Sequence, residues 1–334
     1  MIAPQICPKH TTDPRRHTAL AIDIGGSKMM LGLVELREIG HERWNYRVLQ
    51  KTNNALPCDI RVEGILEKIA DCSRELLREG GISSFERVGA NIPGLADERI
   101  WIYAPFSGIQ NFPIAEALEK MFDRPVRIDN DVNACALAEK VLGKCGGVRD
   151  FIWLTISNGV GGGLFLNNDV YRGAKGFSGE LGHVCVVPNG RLCGCGKRGC
   201  VEAECAGPGI AAFYRSLFTT PTEAVPTEFV PTRATAREIA QRAREGEPQA
   251  RQTFERTGRL LGFALANAAN ILNPEKIVLG GGVVQSWDIF APAMERTFEE
   301  HLFKRANEHL RLEKTSLGYD AALLGAAALT LPRE

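Results

Sequence analysis

The chain has 334 residues, 44% of them hydrophobic and 35 of them glycine, which is length and apolar content enough for two domains with proper cores. Lysine plus arginine number 40 and so do aspartate plus glutamate, so charge gives no reason to expect a nucleic-acid or membrane partner. No apolar run approaches the ~20 residues that span a bilayer, and the polar first 17 residues, with Pro4, Pro8 and Pro14, lack the apolar segment of a signal peptide.

From Thr18 onward the pattern becomes regular. A strand is predicted over Ala19–Asp23, then a Gly25–Gly26 turn and a second strand over Met29–Leu36. Apolar residues at 62, 65, 66, 69, 72 and 76 predict an amphipathic helix over Asp59–Arg78. Arg87–Ile92 reads as a strand ending at Pro93-Gly94, and Val126–Ile128 as another that runs into Asp129-Asn130-Asp131 and a helix. At Phe151 the opening pattern returns: a strand over Phe151–Ser157, a glycine turn over Asn158–Gly163, and a strand over Leu164–Leu166. Residues 220–236, rich in Pro and Thr, read as a surface loop. A helix over Arg251–Leu272 stops at Asn273-Pro274, a strand over Lys276–Leu279 opens into Gly280-Gly281-Gly282, and a last helix over Ala321–Leu331 contains Gly325, which allows close packing. Alternating strands and helices predict an α/β chain of two related domains, each with a mixed, partly parallel sheet, and a cleft between them.

The most specific stretch lies between His183 and Cys200. His183, Cys193, Cys195 and Cys200 supply one imidazole and three thiolates, the closed set that a structural Zn²⁺ prefers. Glycines at 194, 196 and 199 let the backbone fold back tightly enough for the sulfurs to meet one ion. The ten cysteines could instead be scattered core residues or a disulfide framework. Against that, Cys193 and Cys195 are too close for an easy mutual disulfide, and Cys7, Cys58, Cys72, Cys135 and Cys145 show no paired spacing. Cys185, on an expected strand over Val184–Val187, is expected to point away from the cluster. Free thiols, a zinc site and no export signal predict a cytoplasmic protein.

Three glycine turns follow strands: Asp23 to Lys28 (with Gly25, Gly26 and Ser27), Ser157 to Gly163 (with Asn158, Gly159 and Gly161), and Gly280-Gly281-Gly282. Such turns mostly just connect strands, and none has the Walker spacing or the dinucleotide fingerprint. Three in one chain, one preceded by a strand-end aspartate, favour a nucleotide whose phosphates meet converging backbone N–H groups. Asp23 would then hold Mg²⁺ through water. Asp131, where a strand meets a helix, is open to two readings: a helix cap or first-turn acid, or a carboxylate that takes a proton from a hydroxyl attacking a γ-phosphate. The triplet offers more polar groups than one cap needs, and Asn130 with Asp131 could grip hydroxyls.

Gly179-Glu180-Leu181-Gly182-His183, Pro188, Cys193-Gly194-Cys195-Gly196 and Gly199-Cys200-Val201-Glu202 together closely resemble the signature of the ROK family of bacterial sugar kinases and related repressors. The resemblance extends through Asp23–Lys28, Asn91–Gly94, Asp129–Asn133, Gly159–Gly163 and Lys276–Val283, nearly the whole chain after residue 18. It implies two RNase H-like domains of the actin-like ATPase fold, an interdomain cleft holding ATP and Mg²⁺, and a structural zinc loop. The expected domains are 18–128, completed by the C-terminal helix 320–334, and 129–319, carrying the zinc loop 183–200. By matching positions Asp131 becomes the base that deprotonates a sugar hydroxyl, usually that on C6. Asn130, Glu180, His183 and Glu202 would hold the other hydroxyls, and Gly94 would line the pocket. His183 could serve zinc with one ring nitrogen and sugar with the other. The three glycine turns match two phosphate loops and an adenosine loop, and the family forms homodimers or homotetramers.

Some positions depart from the family pattern. Ser157-Asn158 stands where Gly-Thr is common, Phe106-Ser107 follows Ala104-Pro105 where an Asn is usual, and Ala206 replaces a common Ser. These changes bear on the sugar and not on the reaction class. An ATP-dependent hexose kinase is expected, glucose first, with fructose, mannose, N-acetylmannosamine or N-acetylglucosamine as alternatives. The rival is a non-enzymatic sugar-responsive regulator, but family repressors carry a helix-turn-helix ahead of the first phosphate loop. Here fewer than 25 residues precede Asp23, without helical periodicity. Retention of Asp23, Asp131 and all four candidate zinc ligands argues against a silent sugar sensor.

Overall fold

The computed structural model describes residues 15–40, 43–57, 59–104, 107–218 and 234–332. The tail up to residue 14, Cys7, Cys58, Pro105-Phe106 and all but the end of the 220–236 stretch lie outside the described residues. The chain divides into two units. Unit 1 holds Met1–Gly147, Arg172–Phe177 and Ser316–Glu334; unit 2 holds Val148–Tyr171 and Ser178–Thr315.

The chain opens in unit 1 with β1 (Arg16–Ile24), β2 (Lys28–Gly40), β3 (Arg43–Ala55), α1 (Val62–Gly80) and β4 (Arg87–Ile92). The short strands β5 (Leu95–Ala96), β6 (Trp101–Ala104) and β7 (Ile109–Phe112) follow, then α2 (Ile114–Phe122), β8 (Val126–Asn130) and α3 (Asp131–Val141). The main sheet runs β3-β2-β1-β4-β8, with β1 to β3 antiparallel and β1, β4 and β8 parallel. β1 is buried without interruption from Ala19 to Ile24. A central strand covered on both faces reads as a continuous apolar run, which is why it is legible in the sequence. Helix α1 buries Ile65, Ile69, Cys72 and Leu76 on one face and ends at Gly81, in the left-handed region at φ 59°.

Unit 2 contributes β9 (Phe151–Ile156), β10 (Val160–Leu166), β11 (Asp169–Val170), α4 (Val201–Cys205), α5 (Gly207–Ser216), α6 (Ala236–Arg244), α7 (Pro248–Leu272), β12 (Lys276–Gly280), α8 (Trp287–His301) and β13 (Arg311–Lys314). Its sheet runs β11-β10-β9-β12-β13, again an antiparallel trio followed by two parallel strands. Strand order and sense repeat those of unit 1 position by position, in keeping with the echo between residues 19–36 and 151–166. Two buried clusters form the cores, one per unit. Among the described residues no helix is long and apolar enough to cross a membrane.

Helix α9 (Ala321–Ala328) returns the chain to unit 1. A Cβ on Gly325 would lie 3.0 Å from the Ala134 and Cys135 backbone of α3, and one on Gly89 only 1.8 Å from the Ala326 carbonyl oxygen, so two glycines let α9 lie directly on α3 and β4. This packing corrects the expected boundary at residue 128: α3 is committed to α9, and unit 1 continues to Gly147. A second correction concerns Val184–Val187, which forms no strand; the segment bends, with one isolated antiparallel bridge between Cys185 and Cys200.

Candidate active site

In unit 1 the parallel strands bring polar residues together at their C-terminal ends, where ligands of open α/β sheets bind. Asp23 of β1 is in register with Asn91 of β4, which is in register with Asp129 of β8. Asn91 donates from Nδ2 to Asp23 Oδ1 at 3.4 Å and also to the Ala322 carbonyl oxygen. Asp129, 2% exposed, receives a two-pronged bond from Arg172 at 2.8 and 2.6 Å, and accepts the Asn130 N–H at 2.7 Å.

Asn130 and Asp131 divide the strand–helix junction. The Asn130 side chain caps α3, accepting from the Val132 and Asn133 N–H groups at 3.0 and 3.4 Å, and its amide donates to the Gly94 carbonyl oxygen at 2.9 Å. The capping task is therefore taken by Asn130, and Asp131 is the first residue of the helix, half-buried, with Oδ1 3.0 Å from the Val132 nitrogen. Burial, then the Asp23 charge, push the Asp131 carboxyl up to about 7. Burial also raises Asp23, against the opposing pull of Asn91 and Lys28. A carboxyl with a pKa near neutrality, at strand ends, is suited to general-base work. Gly94 has φ 80°, and a Cβ there would lie 2.4 Å from the Tyr103 carbonyl oxygen.

The glycine turns are built tightly. In the first, the Gly25 N–H reaches the Lys28 carbonyl at 2.8 Å, which leaves Gly26, Ser27 and Lys28 exposed, with Lys28 Nζ 5.6 Å from the Tyr319 ring centre. In the second, the Ser157 N–H reaches the Gly159 carbonyl at 2.8 Å, and Asn158 is exposed, with Gly161 half-buried just beyond. The third turn adjoins the second: a Cβ on Gly281 would lie 2.4 Å from the Ile156 carbonyl oxygen, and one on Gly280 2.7 Å from the Trp153 ring, while Gly282 is exposed.

The ligand atoms of His183, Cys193, Cys195 and Cys200 all lie within 4.8 Å of one another. Cys195 and Cys200 sulfurs are 3.7 Å apart, and Cys193 Sγ is 3.5 Å from His183 Nδ1. Four ligands about 2.0–2.3 Å from a tetrahedral zinc place neighbouring ligand atoms roughly 3.5–3.8 Å apart, so this donor set fits the ion. Burial pushes the Cys200 thiol up to about 12 and raises Cys193, whereas the Lys197 backbone N–H lowers Cys195. Thiols crowded in this way give up their protons together most readily to a cation. Cys185 is exposed and outside the set.

Around this hairpin, His183 turns Nδ1 toward Cys193 and Nε2 toward Glu180 Oε2 at 3.7 Å. Glu180 is exposed. Glu202 accepts the Val160 N–H on Oε2 at 3.1 Å, and its Oε1 lies 3.7 Å from Cys193 Sγ. Glu202 thus links the hairpin to the second glycine turn, a placement that the sequence alone does not reveal. Arg172 also escapes sequence reasoning, since a lone Arg in a loop carries no periodic signal, and Asn91, matched only within the run Asn91–Gly94, has no role there.

Two α/β units of matching topology, glycine turns at strand ends and a Cys3His hairpin define a member of the actin-like ATPase fold class. The model of the ROK family matches residues 19–333, and the chain belongs to that family. It is similar to a glucokinase of Halalkalibacterium halodurans, 30% identical over 322 residues, 94% of this chain and 95% of that relative. An N-acetylmannosamine kinase of Haemophilus influenzae is 29% identical over 313 residues (92% and 93%), and a xylose repressor of Caldicellulosiruptor bescii 30% identical over 247 residues (73% and 62%). Among solved structures, a ROK family glucokinase from Streptomyces griseus in complex with glucose and AMPPNP is 28% identical, with a TM-score of 0.76 over 93% of this chain and 98% of that one.

Proposed function

We propose that this chain is an ATP-dependent sugar kinase that phosphorylates a hexose hydroxyl, that on C6, with Asp131 as general base. The observation that carries the reading is Asp131 itself: a carboxyl freed from capping by Asn130, at the first residue of α3, with a pKa of about 7. In the reaction the hydroxyl proton passes to the Asp131 carboxylate as the hydroxyl oxygen attacks the γ-phosphorus. The bond from that phosphorus to the β–γ bridging oxygen breaks, and ADP leaves. Asn130, Glu180, His183 and Glu202 hold the remaining hydroxyls, with Gly94 against the ring. The turns at Gly25–Lys28, Asn158–Gly161 and Gly280–Gly282 hold the nucleotide, and Asp23 would hold Mg²⁺, which would offset the charge of the phosphates. Bound zinc supplies a structural clamp on His183, Cys193, Cys195 and Cys200.

Glucose is the first substrate, by similarity to glucokinases. A second reading, an N-acetylhexosamine kinase, is favoured by the N-acetylmannosamine kinase relatives at nearly the same identity. The site is proposed to work in a homodimer or homotetramer in the cytoplasm, where thiols stay reduced. A coupled ADP-release assay over glucose, mannose, fructose, N-acetylglucosamine and N-acetylmannosamine tests the reading. Turnover with one of them is expected; no turnover with any, alongside sugar binding by calorimetry, would favour a regulator like the xylose repressor relatives.

A further inference from the structure

Glu204, on α4, is 1% exposed, yet it is a carboxylate. Its Oε1 accepts the Arg191 backbone N–H at 2.7 Å, and its Oε2 accepts Arg191 Nη1 at 2.6 Å and Arg256 Nη2 at 2.7 Å. Arg256 comes from α7 and lies over the Phe213 ring of α5, 4.4 Å from its centre, and Arg191 lies over the same ring at 5.6 Å. Gly190 has no room for a side chain, since a Cβ would sit 2.4 Å from Glu204 Oε1. Three helices and the start of the cysteine hairpin therefore meet at one buried carboxylate. A buried charge of this kind is tolerable only with its partners in place, so the arrangement is all-or-none.

The placement has a consequence for the hairpin. Arg191 stands two residues before Cys193, and α4 begins immediately after Cys200, so Glu204 ties down both ends of the segment that carries the three cysteines. Glu202 shares α4 with it, and the Glu202 carboxylate reaches the Val160 N–H. We infer that Glu204 is a positioning residue: through Arg191 and Arg256 it fixes the hairpin and, with it, the Glu202 carboxylate that faces the second glycine turn. The kinetic part of this inference rests on the kinase reading; the structural part does not.

The test compares Glu204→Gln, Arg256→Lys and a control, Asp288→Asn, which breaks the exposed Arg244–Asp288 pair of the same unit. All are assayed well below their melting temperatures. Glu204→Gln is expected to raise the sugar KM about tenfold, with kcat held within about twofold, because Asp131 is untouched. Zinc transfer to a colorimetric chelator and tryptic cleavage at Lys197 and Arg198 should each speed up about tenfold, the lower end of the cost of losing a ligand-orienting partner. Arg256→Lys should recover most of the wild-type values, and Asp288→Asn should match wild type. Wild-type cleavage and metal-release rates in Glu204→Gln overturn the inference, as does a fall in kcat with unchanged KM. If wild type phosphorylates no sugar the kinase reading fails, and the cleavage arm still decides the role of Glu204. If Glu204→Gln does not fold, an Arg256→Ala variant with wild-type hairpin cleavage overturns it, and one with faster cleavage supports it.

Discussion

Replacing Asp131 by asparagine keeps the side chain's shape and removes its charge. The carboxyl titrates at about 7 in the fold against an ordinary value of 3.8, because burial and then the Asp23 charge disfavour the ionised form. That displacement is about 3 on the pH scale, roughly 4 kcal/mol at 1.36 kcal/mol each. Two consequences follow in opposite directions. For activity, the base must be ionised, so kcat/KM should rise with pH through an inflection near 7, standing at about one-tenth of its plateau one pH unit below. For stability, folded Asp131 binds its proton more tightly than unfolded Asp131, so its favourable contribution is present at acid pH and is lost as pH rises from about 4 through 7. Asp131→Asn should therefore lose at least about a hundredfold in turnover and yet gain stability above neutrality. Water access to this half-buried group trims the gain to on the order of 2 kcal/mol. Sugar binding should be retained. Steady-state rates from about pH 5 to about pH 9, with denaturant melts at both ends, give the answer. Near-normal turnover in Asp131→Asn, or a wild-type profile flat across that range, would sink the base assignment.

Two other substitutions test the frame that carries this residue. Gly89→Ala places a methyl 1.8 Å from the Ala326 carbonyl oxygen, so α9 must move off β4, and a loss of roughly 3 kcal/mol or more is expected in urea melts; wild-type stability would show that the close approach is not required. His17, buried against Thr330 at 3.0 Å, is held down to about 4, first by burial and then by the Arg87 charge. The unfolded chain protonates first, so this group's contribution is present above about pH 6.5 and is lost as pH falls toward 4, on the order of 3 kcal/mol; His17→Gln should flatten that acid limb, and an unchanged limb refutes the assignment.

How much of this was legible in the sequence depended on whether the cause was local. The central strands announce themselves because burial on both faces demands an apolar run, as in Ala19–Ile22 and Phe151–Leu154. The edge strand β3 does not, because among the described residues it pairs only with β2 and leaves Asn45 to Arg47 exposed. The candidate metal ligands lie within 18 residues of one another, and their chemistry is visible in the spacing. The partners of Asp129 and Glu204 are not: Arg172 and Arg256 reach them across 43 and 52 residues, a distance over which no local pattern informs. The boundary after Gly147 was hidden for the same reason, since it is set by α9, nearly 200 residues downstream of α3.

One carboxylate, Glu202, joins the hairpin to the second glycine turn, and this makes a testable linkage. Its Oε2 holds the Val160 N–H at 3.1 Å, and a Cβ on Gly159 would lie 2.7 Å from the same oxygen, while Oε1 faces Cys193 Sγ. Cys195→Ser removes one of four donors and should abolish stoichiometric zinc in elemental analysis. With the metal gone, Cys200 should lose its fixed place at the start of α4, Glu202 on that helix should shift with it, and the turn from Ser157 to Gly159 should lose the acceptor that anchors it. The affinity for a non-hydrolysable ATP analogue should then fall about fivefold or more, the lower end of ordinary coupling between sites. Reciprocity requires that the same analogue tighten zinc binding in the wild-type protein by the same factor, whatever route carries the coupling. A metal-free Cys195→Ser protein that binds the analogue with wild-type affinity would show that Glu202 keeps its place without the ion, and the clamp would then serve the hairpin alone.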